Sequence, residues 1–146
     1  MSDRKRILVA DDSAEDFALL KRAFQECGVD LDLFSVRDGE ETINYLSGDD
    51  QFRDRAVHPL PQFILLDLKM PRMDGFDVLV WLHRQPRLKR LPVMVLSSSD
   101  EEMDVNRAYE LGANSYIVKP YSLEGYISMV EKLHAFWLEV SRCPNC

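Results

Sequence analysis

The chain has no apolar run approaching the ~20 residues that cross a bilayer. Its first residues, Met1 to Arg6, lead straight into a strand-like segment without the apolar core of a signal peptide. Both absences point to a cytoplasmic protein. Positive charge is also short: 18 Lys and Arg face 25 Asp and Glu, a net charge of −7. Neutralising nucleic-acid phosphates needs a basic face, so that class of partner is excluded. Three cysteines do not make a disulfide framework. Cys27 reads as a small buried apolar residue on a helix. Cys143 and Cys146 form C-x-x-C, yet none of His58, His83 or His134 stands at a spacing that completes a zinc site. Residues 141–146 read as a frayed tail. Internal repeats, low-complexity tracts and linkers are missing too. What remains is 146 residues with 46% hydrophobic content, enough for one domain with its own core.

Strand and helix patterns alternate from end to end. Strand-like runs cover 7–10, 31–36, 63–66, 93–97 and 115–118. Ser13 caps a first helix with Phe17, Leu20, Phe24 and Cys27 on one face and Gly28 at its close. A short second helix over 40–46 turns Ile43 and Leu46 inward. Gly75 opens a third, carrying Phe76, Leu79, Val80 and Leu82 and stopped by Pro86. Ser99 or Asp100 caps a fourth, with Met103, Val105, Ala108 and Leu111 inward and Gly112 at its end. The fifth runs over 122–140, despite Gly125 at ~1 kcal/mol against alanine. The polar stretch 47–61 has no apolar periodicity and reads as a surface loop. Five strands alternating with five helices imply an α/β fold, a doubly wound parallel sheet reached by right-handed crossovers. The continuously apolar runs 63–66 and 93–96 fit strands buried on both faces.

Ligands and chemistry in such sheets collect outside the carboxyl ends of the strands. Four of these strands end in reactive groups. The first ends in Asp11-Asp12, the third in Asp67, the fourth in Ser97 and the fifth in Lys119-Pro120. An Asp-Asp pair alone could cap a helix, and a lone strand-end aspartate, serine or Lys-Pro means little. Together they describe an oxygen-rich, partly open site suited to Mg²⁺, a hard cation that binds through one or two carboxylates and keeps waters. Crowded carboxylates resist ionisation, and a cation relieves this. A metal-neutralised aspartate can then attack a phosphoryl group, with Lys119 and Ser97 as donors to its oxygens.

The set Asp11-Asp12, Asp67 followed by Lys-Met-Pro-x-Met-Asp-Gly, Ser97 and Lys119-Pro120 resembles the receiver domain of two-component response regulators. The resemblance spans about residues 4–140. It implies strand order 2-1-3-4-5 and phosphorylation of Asp67 by a sensor histidine kinase or histidine phosphotransfer protein. It further implies Mg²⁺ held by Asp12, Asp67 and the Lys69 backbone carbonyl, with Asp11 acting through water. Ser97 would be the switch hydroxyl, Tyr116 the coupled aromatic, Lys119 the phosphoryl clamp, and the bond before Pro120 cis. The 55 residues from Asp12 to Asp67 are more than in compact receivers. That excess, in 47–61, looks like the stand-alone regulators of bacterial phytochromes and related sensor kinases. Lys69, two residues past Asp67, can reach over the site and alter attack by water on the acyl phosphate.

Such a protein catalyses only its own phosphorylation and dephosphorylation. No DNA-binding or enzymatic segment is recognisable after the last helix, so output is expected through a downstream protein target or onward phosphotransfer. Tyr126, Phe136 and Trp137 give the last helix more apolar surface than one core face needs. A homodimer or partner could use the face of fourth helix, fifth strand and fifth helix. Three other readings stand beside this one. A receiver-like adaptor would bind partners unphosphorylated, against which the acidic triad and Lys119 weigh. A phosphohydrolase would need Asp-x-Asp where Asp67-Leu68-Lys69 stands. A flavodoxin-type binder would need a phosphate-cradling loop after the first strand, where two carboxylates would repel phosphate.

Overall fold

The computed structural model describes residues 4–140, with side chains to Trp137. Cys143, Cys146 and the tail reading lie outside the described residues. Five parallel strands, β1 (Lys5–Ala10), β2 (Leu31–Val36), β3 (Phe63–Leu66), β4 (Val93–Ser97) and β5 (Ser115–Val118), stand in the order β2-β1-β3-β4-β5. They are joined through α1 (Ala14–Glu26), α2 (Gly39–Ser47), α3 (Gly75–His83) and α4 (Glu102–Glu110), and α5 (Leu123–Leu133) follows β5. The order and the five helices agree with the sequence pattern. β3 and β4 are buried at every position, as strands covered on both faces must be. Side chains alternate across them into two cores. Ile64, Leu66, Val93 and Val95 face α2 and α3, while Phe63, Leu65, Met94 and Leu96 face α1 and α5.

Several local expectations are corrected. On α2, Tyr45 and Leu46 are the buried apolar side chains and Ile43 is only partly covered; on α3, Val78 rather than Val80 is buried. On α4 only Ala108 is buried, and Met103 is 80% exposed. That helix has Glu101 as its N-cap without a side-chain bond. Ser99 and Asp100 precede the capping position, and Ser99 Oγ donates instead to Asp104 at 2.6 Å. The last helix is regular only to Leu133 and continues as a π-helical segment, His134–Val140. Tyr126 is buried and Trp137 packs on Phe63, so Phe136, at 55% exposure, is the one outward aromatic of the three. Cys27 is half-buried, its thiol donating to the Ile127 carbonyl at 3.7 Å.

The 47–61 segment is pinned rather than loose. A short 3-10 turn (Asp50–Phe52) buries Phe52 against Tyr45, and His58 meets both rings edge-on. The Arg55 guanidinium donates to the carbonyls of Tyr45, Leu46 and His58. It thereby adds side-chain donors to carbonyls in the last turn of α2 and ties them to His58. A single aromatic plus a guanidinium clamp leaves no periodic signal, which is why a sequence pattern shows only a polar loop.

Candidate phosphoacceptor site

Parallel pairing brings the strand ends together. Ala10 lies opposite Leu66, and the Asp67 amide donates to the Ala10 carbonyl at 2.9 Å, setting Asp67 beside Asp11. Ser97 and Val118 are paired on β4 and β5, and the Lys119 amide donates to the Ser97 carbonyl at 2.8 Å. Asp67 is followed by a tight return to α3. There the Gly75 amide donates to the Leu68 carbonyl, and a Cβ on Gly75 would overlap the Asp67 carbonyl oxygen. Asp74 and Asp77 close that helix start as a capping box. Glycine is required where α3 begins because the helix starts against the backbone of Asp67.

Asp11, Asp12 and Asp67 each offer a carboxylate oxygen, all within 4.8 Å of one another; Asp11 and Asp67 are buried and Asp12 is exposed. An all-oxygen, partly open donor set of this kind fits a Mg²⁺-type ion. Asp12 and Lys69 line one shallow cavity of about 570 Å³ with Asp74, Asp104 and Arg107. The Lys69 amide approaches Asp67 Oδ1 at 3.4 Å.

Lys119, 9% exposed, reaches three carboxylates: Asp16 at 2.7 Å, Asp11 at 2.9 Å and Asp67 at 3.0 Å. Burial alone would lower its ammonium pKa; the hydrogen bonds to Asp16 and Asp11 and the Asp67 charge hold it above its ordinary value. Burial pushes the Asp11 carboxyl up to about 6, with Lys119 and the Ser13 amide pulling the other way and the Asp67 charge adding to the rise. The buried Tyr126 hydroxyl, also raised to about 12 by burial and then by the Asp16 charge, has no hydrogen-bond partner.

Ser97 is fully buried, and its Oγ accepts from the Ser99 amide at 3.2 Å. The Tyr116 hydroxyl donates to the Ser99 carbonyl at 2.8 Å. Ser97 and Tyr116 are therefore joined through Ser99, a residue read from the sequence only as a possible cap. Asp16, in the first turn of α1 just after the Asp11 strand end, also faces Lys119 and is not one of the strand-end residues that the sequence singles out. One expectation fails: none of the described peptide bonds is cis. The Lys119–Pro120 bond is trans, the form favoured by about 0.5–1 kcal/mol for X–Pro.

Fold, acidic cluster and strand-end lysine define a receiver-type signalling domain. Residues 7–131 match the response regulator receiver domain family, and the chain belongs to it. Response regulator Rcp1 of Synechocystis sp. is 36% identical over 140 residues, 96% of this chain and 93% of Rcp1. Among solved structures, response regulator RPA3017 in red light signalling of R. palustris matches with a TM-score of 0.92 at 35% identity, over 97% of this chain and 99% of that one. The phosphorylated cyanobacterial phytochrome response regulator RcpA matches with a TM-score of 0.89 at 34% identity, over 97% and 99%. Rcp1 has been solved in a Mn²⁺-bound form, which matches with a TM-score of 0.86 at 36% identity, over 97% and 99%. Among the described residues, no helix is long and apolar enough to cross a membrane.

Proposed function

We propose that the protein is a phosphorylatable switch in which Asp67 accepts a phosphoryl group from a sensor histidine kinase or a histidine phosphotransfer protein. The observation that carries this is Lys119 in contact with Asp67 inside a cluster of three carboxylates that can share a cation. An Asp67 oxygen attacks the phosphorus of a phosphohistidine; the P–N bond breaks and its electron pair leaves with the imidazole. Asp12 and Asp67, the Lys69 carbonyl, and Asp11 through water would hold Mg²⁺, which supplies charge neutralisation for the transferring group. Lys119 donates to the phosphoryl oxygens, and its burial away from bulk water strengthens that contact.

The protein then acts on no external substrate. Its action belongs in the cytoplasm beside its kinase. Ser97 is the hydroxyl that meets the new phosphoryl group, Tyr116 follows through Ser99, and output passes to a protein target or onward phosphotransfer. The face of α4, β5 and α5, where Met103, Tyr109, Val118 and Tyr121 are exposed, is the surface for that target or for a homodimer. Incubation with ³²P-acetyl phosphate tests the reading. Label is expected to appear only with Mg²⁺ and to be lost in Asp67→Asn. A protein that stays unlabelled by acetyl phosphate and by phosphorylated kinases is the adaptor instead.

A further inference from the structure

An ammonium has three N–H donors, and Lys119 directs its charge at three carboxylates. The shortest contact goes to Asp16 on α1, not to the phosphoacceptor. We propose that Asp16 is a positioning residue that draws Lys119 toward α1 and opposes the phosphorylated state, a brake built into the resting site. This rests on the phosphoacceptor reading of Asp67.

A phosphoryl group brings close to two negative charges and three acceptor oxygens to Asp67. It needs a Lys119 donor, so an existing partner must yield. Asp67 carries the new group and stays. Asp11 is buried, with its other oxygen accepting from the Ser13 amide at 2.9 Å. Asp16 is different: its side chain is 32% exposed against 6% for Asp11 and Asp67. Its carboxylate can return to water with little desolvation cost, and the Ser13 hydroxyl holds only its backbone amide, at 3.2 Å. Releasing Lys119 and tolerating a dianion nearby both work against phosphorylation. Three carboxylates already face one ammonium here, and Asp16 is the one of them outside the set that can share a cation.

Asp16→Asn removes the charge and keeps the shape. Calorimetric titration with beryllium fluoride and Mg²⁺, a phosphoryl mimic, is expected to show three- to tenfold tighter binding than wild type. Acetyl-phosphate labelling is expected to reach a higher plateau. Asp16→Glu, which restores a carboxylate, returns both values toward wild type, a pattern that a purely structural role for Asp16 would not produce. Urea midpoints for the three proteins verify folding. Equal or weaker binding by Asp16→Asn overturns the brake while labelled wild type leaves the phosphoacceptor reading standing. A wild type that neither binds the mimic nor takes label overturns both.

Discussion

Asp11 shows at the scale of one residue what burial does to a carboxyl of this cluster. Its carboxyl sits near 6 rather than 3.8 because burial disfavours the charge, a cost that Lys119 and the Ser13 amide offset only in part. The folded protein therefore binds this proton more tightly than the unfolded chain does. Below about pH 4 the group is protonated in both states and costs nothing. As pH rises to about 6 the unfolded chain ionises first and the folded state loses stability; above that the loss is constant. At about 1.4 kcal/mol per pK unit, the full effect is on the order of 2–3 kcal/mol. In metal-free urea titrations, the stability of Asp11→Asn relative to wild type is expected to rise between pH 4 and 6 and then level off. A difference that is flat across that range contradicts the burial account. Cation binding runs the other way: it requires the ionised form, so affinity for Mg²⁺ should climb through pH 6.

At the scale of elements, the 47–61 segment behaves as an extension of α2. Arg55 supplies donors to three carbonyls while Phe52 and His58 close over Tyr45. Arg55→Ala removes the side-chain donor shared by the Tyr45, Leu46 and His58 carbonyls, and a loss of about 1–3 kcal/mol is expected in urea unfolding. Faster proteolysis within 47–61 should accompany it, with acetyl-phosphate labelling of Asp67 unchanged because the clamp sits at the far end of α2 from the site. The element pattern itself was legible, because strands such as 63–66 and 93–96 carry their burial in unbroken apolar runs. The strand-end residues Asp11, Asp67, Ser97 and Lys119 were legible for the same reason: each charge or hydroxyl interrupts such a run. Arg55 and Asp16 were not. Their partners lie across the fold, on carbonyls and on a lysine 103 positions away, and no local period records such a contact. Tyr45 had the same fate, since what buries it is Phe52 from a segment without a pattern.

The whole molecule is unevenly fastened. α1 and α5 bury Leu20, Phe24, Tyr126, Val130 and Leu133 in one core, and α3 buries Phe76, Val78, Leu79 and Leu82 in the other. α4 contributes only Ala108 to full burial and leaves Met103 and Tyr109 in solvent. A helix with so few apolar contacts lies at the low end of local stability, so its amides are expected to exchange before those of α1 and α5. What holds its entrance is polar: Ser99 Oγ to Asp104, and Tyr116 to the Ser99 carbonyl, with the Ser99 amide on Ser97. A displacement of Ser97 toward a phosphoryl group would strain that chain at its first link, and α4 is the element with least to resist it. Tyr116→Phe removes one neutral hydrogen bond of about 1 kcal/mol, which corresponds to roughly fivefold in an opening equilibrium. Hydrogen exchange across 100–105 should accelerate by about that factor, while α1 and the labelling of Asp67 stay as in wild type. Unchanged exchange there would mean that the signal leaves Ser97 by a path other than Ser99 and α4.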